Sequence, residues 1–363
     1  MGVPIRQTWA VLSHVWKQRL LGNVRYPLVL MLEPLLKCNL ACAGCGKIQH
    51  PAEVLRRTLS VDQCLDAAAQ CGAPVVSIPG GEPLLHPQIE KIVEGLVSMK
   101  RFVYLCTNAI KLEESLPKFH ATPYLAFSVH LDGPEALHDR SVCRPGVYRR
   151  AIAAIKAARS AGFRITTNTT IFSHTRREEL TELFDTLMDL GVEGMMVSPG
   201  FAYEKAPDQE HFLQENQAVN LLDEVMQDPR ANRWRFNQSP LYLQFRRGRW
   251  DMDCTPWGSP TYNVFGWQKP CYLIDEGYAA SYGELLESTD WSGYGHRSGN
   301  AKCGQCMLHC GFEPTAVTQT LGTFRGMTAT IAAMLNSNAL PKIERPQPAL
   351  VNISIAGRSS SAA

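Results

Sequence analysis

Short apolar runs alternate with stretches of helical period over the first two hundred residues. Six runs read PLVLMLE (27–33), PVVSIP (74–79), RFVYLCTN (101–108), PYLAFSVHL (123–131), FRITTNTTIF (163–172) and EGMMVSP (193–199). Their length, aliphatic and β-branched content and polar ends predict buried strands. The intervening segments carry helix punctuation. Ser60 and Gln63 form a capping box before a helix that Gly72 would end, and Thr175 with Glu178 repeats the pattern ahead of Leu180, Phe184 and Leu187, with Gly191 as the stop. YRRAIAAIKAARSAG (148–162) is another amphipathic helix closed by glycine. Strand–helix repetition demands parallel pairing through right-handed crossovers. The fold class is therefore α/β, and six units give a doubly wound sheet or a partly closed barrel. Several strands end in chemically capable residues: Cys38 onward, Glu82, Cys106 and Asn108, His130 and Asp132, Asn168. Parallel α/β folds build their sites at those carboxyl ends.

The flanks differ in texture. Residues 1–26 hold a helical stripe of Ile5, Trp9, Leu12, Trp16 and Leu20 beside Arg6, Lys17 and Arg19. Such a stripe either packs on the barrel or lies in a membrane interface. The barrel spans 27–235. Beyond it, Trp234, Trp250, Trp257 and Trp267 crowd together, and Cys254, Cys271, Cys303, Cys306 and Cys310 follow. We read 236–312 as a Cys-rich accessory module whose tryptophans wall an apolar pocket or form its core, and 313–363 as a helical segment with a disordered tail from about 338.

Composition narrows the function. A net charge of +2 on 363 residues offers no field for nucleic acid. The N-terminus lacks a signal-peptide pattern, and no run reaches the 18 or more apolar residues of a spanning helix. A reduced cytoplasmic protein is expected, in which 12 cysteines point to metal or catalysis rather than disulfides.

The chemistry concentrates in LKCNLACAGCGK, where Cys38, Cys42 and Cys45 follow the first strand at C-x3-C-x2-C. A closed zinc site wants four protein ligands, usually in two pairs. Iron–sulfur clusters are held by thiolates, normally four. Three would leave one iron of a cubane free to hold a small molecule. PGGEP (79–83) follows the second strand: its glycines admit close backbone approach, and Glu82 can accept from a charged amine.

These residues resemble the radical S-adenosylmethionine (SAM) superfamily, whose fold is a partial, TIM-like (β/α)6 barrel. The resemblance implies that the vacant iron chelates SAM, which one-electron reduction cleaves to a 5′-deoxyadenosyl radical. It carries SAM contacts onto Gly80, Gly81, Glu82 and Pro83, and onto Ser128 and Asp132 in SVHLDG; Asn168 either hydrogen-bonds SAM or satisfies backbone near the mouth. At closer range, RYPLVLMLEPLLKCNLACAGCGKI, CGAPVVSIPGGEPLLH, FVYLCTNA, HDRSVC, APDQEHFL, WRFNQSPL, CTPWG and NVFGWQKPCYL resemble the adenosylhopane synthase family of hopanoid biosynthesis, over roughly residues 25–312. That resemblance implies a transferase joining the 5′-carbon of deoxyadenosine to the terminal alkene of a hopene such as diploptene. The partners are then a triterpene, an electron donor such as a flavodoxin or ferredoxin, and peripheral contact with the inner membrane face.

Addition to an alkene leaves a carbon radical that needs a hydrogen atom. Strand alternation puts Tyr104, Cys106 and Asn108 on one face, and the Cys106 thiol is the expected donor; otherwise it is a small buried hydrophobe. The five later cysteines resemble a reduced auxiliary-cluster domain, which would hold a second iron–sulfur cluster, a zinc ion, or only buried thiols. Cys64 and Cys71 share a helix face and should pack in the core. The alternative enzyme is a radical SAM protein with an auxiliary cluster that abstracts hydrogen from a peptide or other substrate.

Overall fold

A computed structural model describes residues 2–202, 205–304 and 306–343. Strands β1 (Val29–Glu33), β2 (Val75–Ile78), β3 (Phe102–Thr107), β4 (Leu125–His130), β5 (Arg164–Ile171) and β6 (Gly194–Pro199) pair in parallel and in chain order. Each falls within one of the six apolar runs. Their outward side chains, among them Leu30, Leu32, Val76, Ile78, Val103, Leu105, Phe127, Val129, Ile165 and Val197, are buried in one core with the surrounding helices. Each such side chain contributes roughly 1.5–3 kcal/mol of burial. Opposite faces of β2, β3 and β4 carry Ser77, Cys106 and Ser128, which meet inside the barrel.

The barrel does not close on itself. β1 pairs instead with β7 (Thr261–Asn263), again in parallel, and β8 (Gly266–Pro270) and β9 (Asp275–Ala279) continue antiparallel. The nine-stranded order is β6-β5-β4-β3-β2-β1-β7-β8-β9. This is a mixed α/β fold with a partial barrel. The segment read as an accessory module thus shares the barrel's sheet at the β1 edge.

Helix punctuation follows the sequence with one shift. Ser60 and Gln63 make their capping box, and Gly72 ends that helix at φ 70°. The helix expected after Thr175 starts at Arg177; Glu179, not Glu178, accepts from the Arg176 N–H at 2.9 Å. Thr175 instead accepts from Phe172 N at 3.0 Å, a local hydroxyl turn competing with the cap. Cys64 and Cys71 are core residues of the helix Val61–Cys71.

The N-terminal helix Ile5–Leu20 packs over the amino ends of the strands, but not by the expected stripe. Gln7, Val11 and Val15 turn inward; Gln7 accepts from the Tyr104 hydroxyl at 2.8 Å, and Val11 joins Val75, Phe102 and Tyr104. Trp9 is 59%, Trp16 54% and Leu20 89% exposed, so the packing role expected of that stripe falls to another face. Trp234, Trp250 and Trp267 are buried core residues. Residues 338–343, expected in the tail, are clamped: Asp223 is buried among Arg247, Arg249 and Lys342, and Arg249 donates to Leu340 O at 2.7 Å. The remaining tail residues lie outside the described ones.

Candidate active site

The chain leaves β1 into the cysteine loop, and the strip after β2 lies against it. Gly81 N donates to Leu35 O at 3.0 Å and Glu82 N to Lys37 O at 2.9 Å. This contact requires glycine: a Cβ on Gly81 would overlap the Lys37 carbonyl oxygen, and Gly80 takes φ 45°. Pro83 then opens a short 3-10 turn that Glu82 caps. The two motifs therefore form one surface at the carboxyl end of β1 and β2.

Glu82 is only 1% exposed. Its carboxylate accepts from Leu84 N at 3.1 Å, Thr107 Oγ1 at 2.9 Å and Asn108 N at 2.8 Å. Burial outweighs those donors and raises its pKa to about 7. Asn108 reaches on to the cysteine loop, with Nδ2 2.7 Å from Asn39 Oδ1 and 3.8 Å from Cys38 Sγ. A continuous chain of contacts thus runs from the glycine strip through β3 to the first cysteine.

Cys38 and Cys42 pack with Leu40, Ile110, Val142 and Val147. Burial pushes Cys38 up to about 11, and pushes Cys42 higher still, with Cys45, Asp132 and Cys38 adding like charge. The loop 206–213 covers this segment: Asp208 N donates to Ala43 O at 3.2 Å, and Gly44 rests against the Phe172 ring.

Matches to known proteins fall on the same segments. A family model for the radical SAM superfamily matches residues 32–187, and one for a domain of unknown function, DUF3463, matches 195–330. An AdoMet-dependent heme synthase of Methanosarcina barkeri is 32% identical over 170 residues, 46% of this chain and 48% of that protein. The mycofactocin maturase MftC of Mycobacterium tuberculosis is 30% identical over 145 residues, covering 38% of this chain and 36% of its own. The chain spans about half the length of the curated relatives it matches. Streptococcus suis SuiB bound to S-adenosylmethionine superposes with a TM-score of 0.56 over 70% of this chain and 62% of that one, at 19% identity, which shows a shared fold.

Residues 32–187 belong to the radical SAM superfamily.

A radical SAM domain works with a [4Fe–4S] cluster and SAM, and the residues present fit both. Three thiolates in so desolvated a loop need compensating positive charge, which iron supplies. Among the described residues, the set of three His, Cys, Asp or Glu ligand atoms lying within 4.8 Å of one another is His130, Asp132 and His138. Cys38, Cys42 and Cys45 are not such a set. Beside them, Glu82 Oε1 is filled by Leu84 N and Thr107 Oγ1, while Oε2, which accepts from Asn108 N, keeps acceptor capacity for an ammonium group.

The structure separates the other expected SAM contacts. Ser128 is buried beneath the mouth and hydrogen-bonds Cys106. Asp132 has three protein partners: His130 Nε2 at 3.0 Å, Thr170 N at 2.9 Å, and His138 Nδ1, which accepts from its backbone N–H at 3.2 Å. Burial, the largest single effect, would raise Asp132, but the charge and hydrogen bond of His130 and the Thr170 N–H together outweigh it and hold the carboxyl below its usual value. Burial drives His138 down to about 4, so its ring is neutral. Asn168 stands beside His130 in the β4–β5 register, half-buried at the mouth.

Two groups escaped sequence reasoning. His138 completes a triad with His130 and Asp132, of which the sequence offered only the H-x-D pair at the end of β4. Glu33, fully buried at the end of β1, pairs with Lys47 at 3.1 Å. A lone strand-terminal acid gives no sign of its partner fourteen residues on.

Proposed function

We propose that this chain is a transferase that adds the 5′-deoxyadenosyl group of SAM to the terminal alkene of a hopene such as diploptene. The observation that carries the reading is the Cys106 thiol. It lies on the inner face of β3, 3.6 Å from Ser77 Oγ and hydrogen-bonded to Ser128. Two residues on, Asn108 touches the cluster loop. Burial raises Cys106 to about 11, so at neutral pH the sulfur keeps its hydrogen.

The cluster and SAM, when bound, supply a 5′-deoxyadenosyl radical. Glu82 and the glycine strip hold the methionine end of SAM against the cysteine loop. Once the 5′-carbon has joined the alkene, the unpaired electron rests on the triterpene. Cys106 transfers a hydrogen atom to that carbon from one fixed side; an S–H bond is weaker than the C–H bond formed. The sulfur-centred radical returns to thiol on taking one electron and one proton. SAM, the alkene, two electrons and one proton thus give the coupled product and methionine.

The stripe exposed on the N-terminal helix suits a membrane-dissolved substrate. Arg19 binds Thr318 O at 3.0 Å, and the next helix, Phe324–Leu335, also exposes Phe324 (79%), Ile331 and Leu335. Neither helix contains an acidic residue, and the charges they carry are Arg6, Lys17, Arg19 and Arg325. Apolar faces with only basic charge match an anionic lipid surface. No helix among the described residues is long and apolar enough to cross a membrane. Contact is therefore peripheral, and it anchors the chain rather than feeding the mouth, because this helix caps the opposite barrel end. Flotation with anionic vesicles tests this: Trp9→Ser with Trp16→Ser should lose most of the bound fraction, and unchanged flotation would contradict it.

A second reading is favoured by the comparisons, which include a mycofactocin maturase and, in fold, SuiB bound to a precursor peptide: hydrogen abstraction from a peptide or other substrate. Anaerobic incubation with SAM, a reductant and diploptene separates the two. Coupled adenosylhopane supports addition. Free 5′-deoxyadenosine with untouched diploptene supports abstraction from something else.

A further inference from the structure

The chain enters and leaves the cysteine loop through one ion pair. Glu33 is the last residue of β1, and Lys47 is the second residue past Cys45, so residues 34–46, with all three cysteines, form the loop between them. The Lys47 ammonium lies 3.1 Å from Glu33 Oε1 and 3.2 Å from Oε2. Glu33 is fully buried, and only 17% of the Lys47 side chain is exposed. Among the described residues, Lys47 is the one cation and the one hydrogen-bond donor on that carboxylate. A buried charge with a single partner holds it firmly, because losing the partner strands the charge.

The pair is backed by the segment after β8. The Lys47 ammonium stands 4.1 Å from the centre of the Tyr272 ring, a cation–π contact. Tyr272 is placed by the buried Gln268, whose Nε2 donates to Cys271 O at 2.9 Å, Tyr272 O at 3.2 Å and Ile274 O at 3.1 Å. Gln268 Oε1 accepts from Asn263 Nδ2 at 3.0 Å, and Asn263 stands beside Glu33 in the β1–β7 register. These contacts run in a closed circuit from Glu33 through Lys47, Tyr272, Gln268 and Asn263 back to β1.

Stability alone does not account for such a pair. Well-packed apolar residues often replace a buried ion pair at no cost, and its best-attested use is to fix one arrangement of the chain. Here the arrangement is the neck of the loop. Ionised thiols on Cys38, Cys42 and Cys45 repel one another, so a loop open at its neck relaxes by spreading them.

We propose that Glu33 and Lys47 form a clasp that positions the three-cysteine loop for its cluster, with Tyr272 bracing the clasp from the segment after β8. Both act through the loop backbone and are positioning residues. The role holds whichever substrate the barrel accepts.

The test follows cluster retention rather than turnover. Reconstituted full chain is held anaerobically with an iron chelator, and timed samples are reduced to measure the SAM-responsive paramagnetic signal that remains. Lys47→Met strands the Glu33 charge and should lose that signal about tenfold faster than wild type, the factor that about 1.4 kcal/mol gives. It also weakens the fold, so the deciding variant is Glu33→Gln with Lys47→Met, which buries no charge. Its urea midpoint should return close to that of wild type, while its signal still decays about tenfold faster. Lys47→Arg keeps the charge and can stack on Tyr272, and should decay within about twofold of wild type. Decay of the double variant at the wild-type rate would overturn the proposal, because the pair would then only neutralise a buried acid. Decay in Lys47→Arg as fast as in Lys47→Met would overturn it too.

Discussion

Replacing Glu82 by glutamine tests how the glycine strip and β3 are joined. The carboxyl is buried, and its pKa is raised from 4.5 to about 7, chiefly by desolvation. A raised acid favours the folded chain while protonated. That contribution is complete below the unfolded value and is lost as pH rises through about 7. One pH unit is worth about 1.4 kcal/mol. At pH 6, one unit below the folded value, about 1.4 kcal/mol of the contribution is therefore present; at pH 8.5 it is gone. Glutamine cannot titrate and sets an NH2 group against one of the three donors, a pH-independent cost of roughly 1–3 kcal/mol. The stability advantage of wild type over Glu82→Gln should then shrink by about 1.4 kcal/mol between pH 6 and pH 8.5. Urea unfolding of the cluster-free chain, followed by tryptophan fluorescence, reads this difference, and the titrations common to both proteins cancel. An advantage that stays constant or grows with pH would refute the reasoning.

Two further perturbations address the mouth. Gly81→Ala pushes the strip away from Lys37 O; overpacking of this kind costs about 1–3 kcal/mol, so SAM affinity of the reconstituted enzyme should fall roughly five- to hundredfold, whereas an unchanged Kd would contradict the shared surface. Asp132→Ala leaves His130 and the Thr170 N–H without their buried acceptor; breaking such a pair costs about 3–5 kcal/mol, and a loss below 1 kcal/mol in urea unfolding would show that the triad is not structural.

The barrel was legible because its signals are local. Each strand is a short apolar run bounded by turn formers, and the cysteine and glycine motifs sit directly on strand ends. What escaped depends on long-range pairing. β7 has three residues, and nothing in Thr261–Asn263 announces a parallel partner over two hundred positions earlier. The N-terminal helix carries two usable faces; hydrophobicity pointed to Trp9 and Trp16, while Gln7 faces inward because it accepts from buried Tyr104. Nothing in HDRSVC marks His138 as buried, yet it is fully buried beside Asp132. The tail from 338 lacks periodicity, but the buried carboxylate of Asp223 attracts Lys342 regardless of local pattern.

Solvent deuterium tests the central claim most directly, because a thiol exchanges its hydrogen with water and a carbon does not. The reaction is run anaerobically in D2O with SAM, a reductant and diploptene, and the product is analysed by mass spectrometry and NMR. The account predicts one deuterium at the new centre, in a single configuration, and loss of that product or of its single configuration in Cys106→Ala. Coupled product without deuterium, or with unchanged yield and configuration in Cys106→Ala, would contradict it.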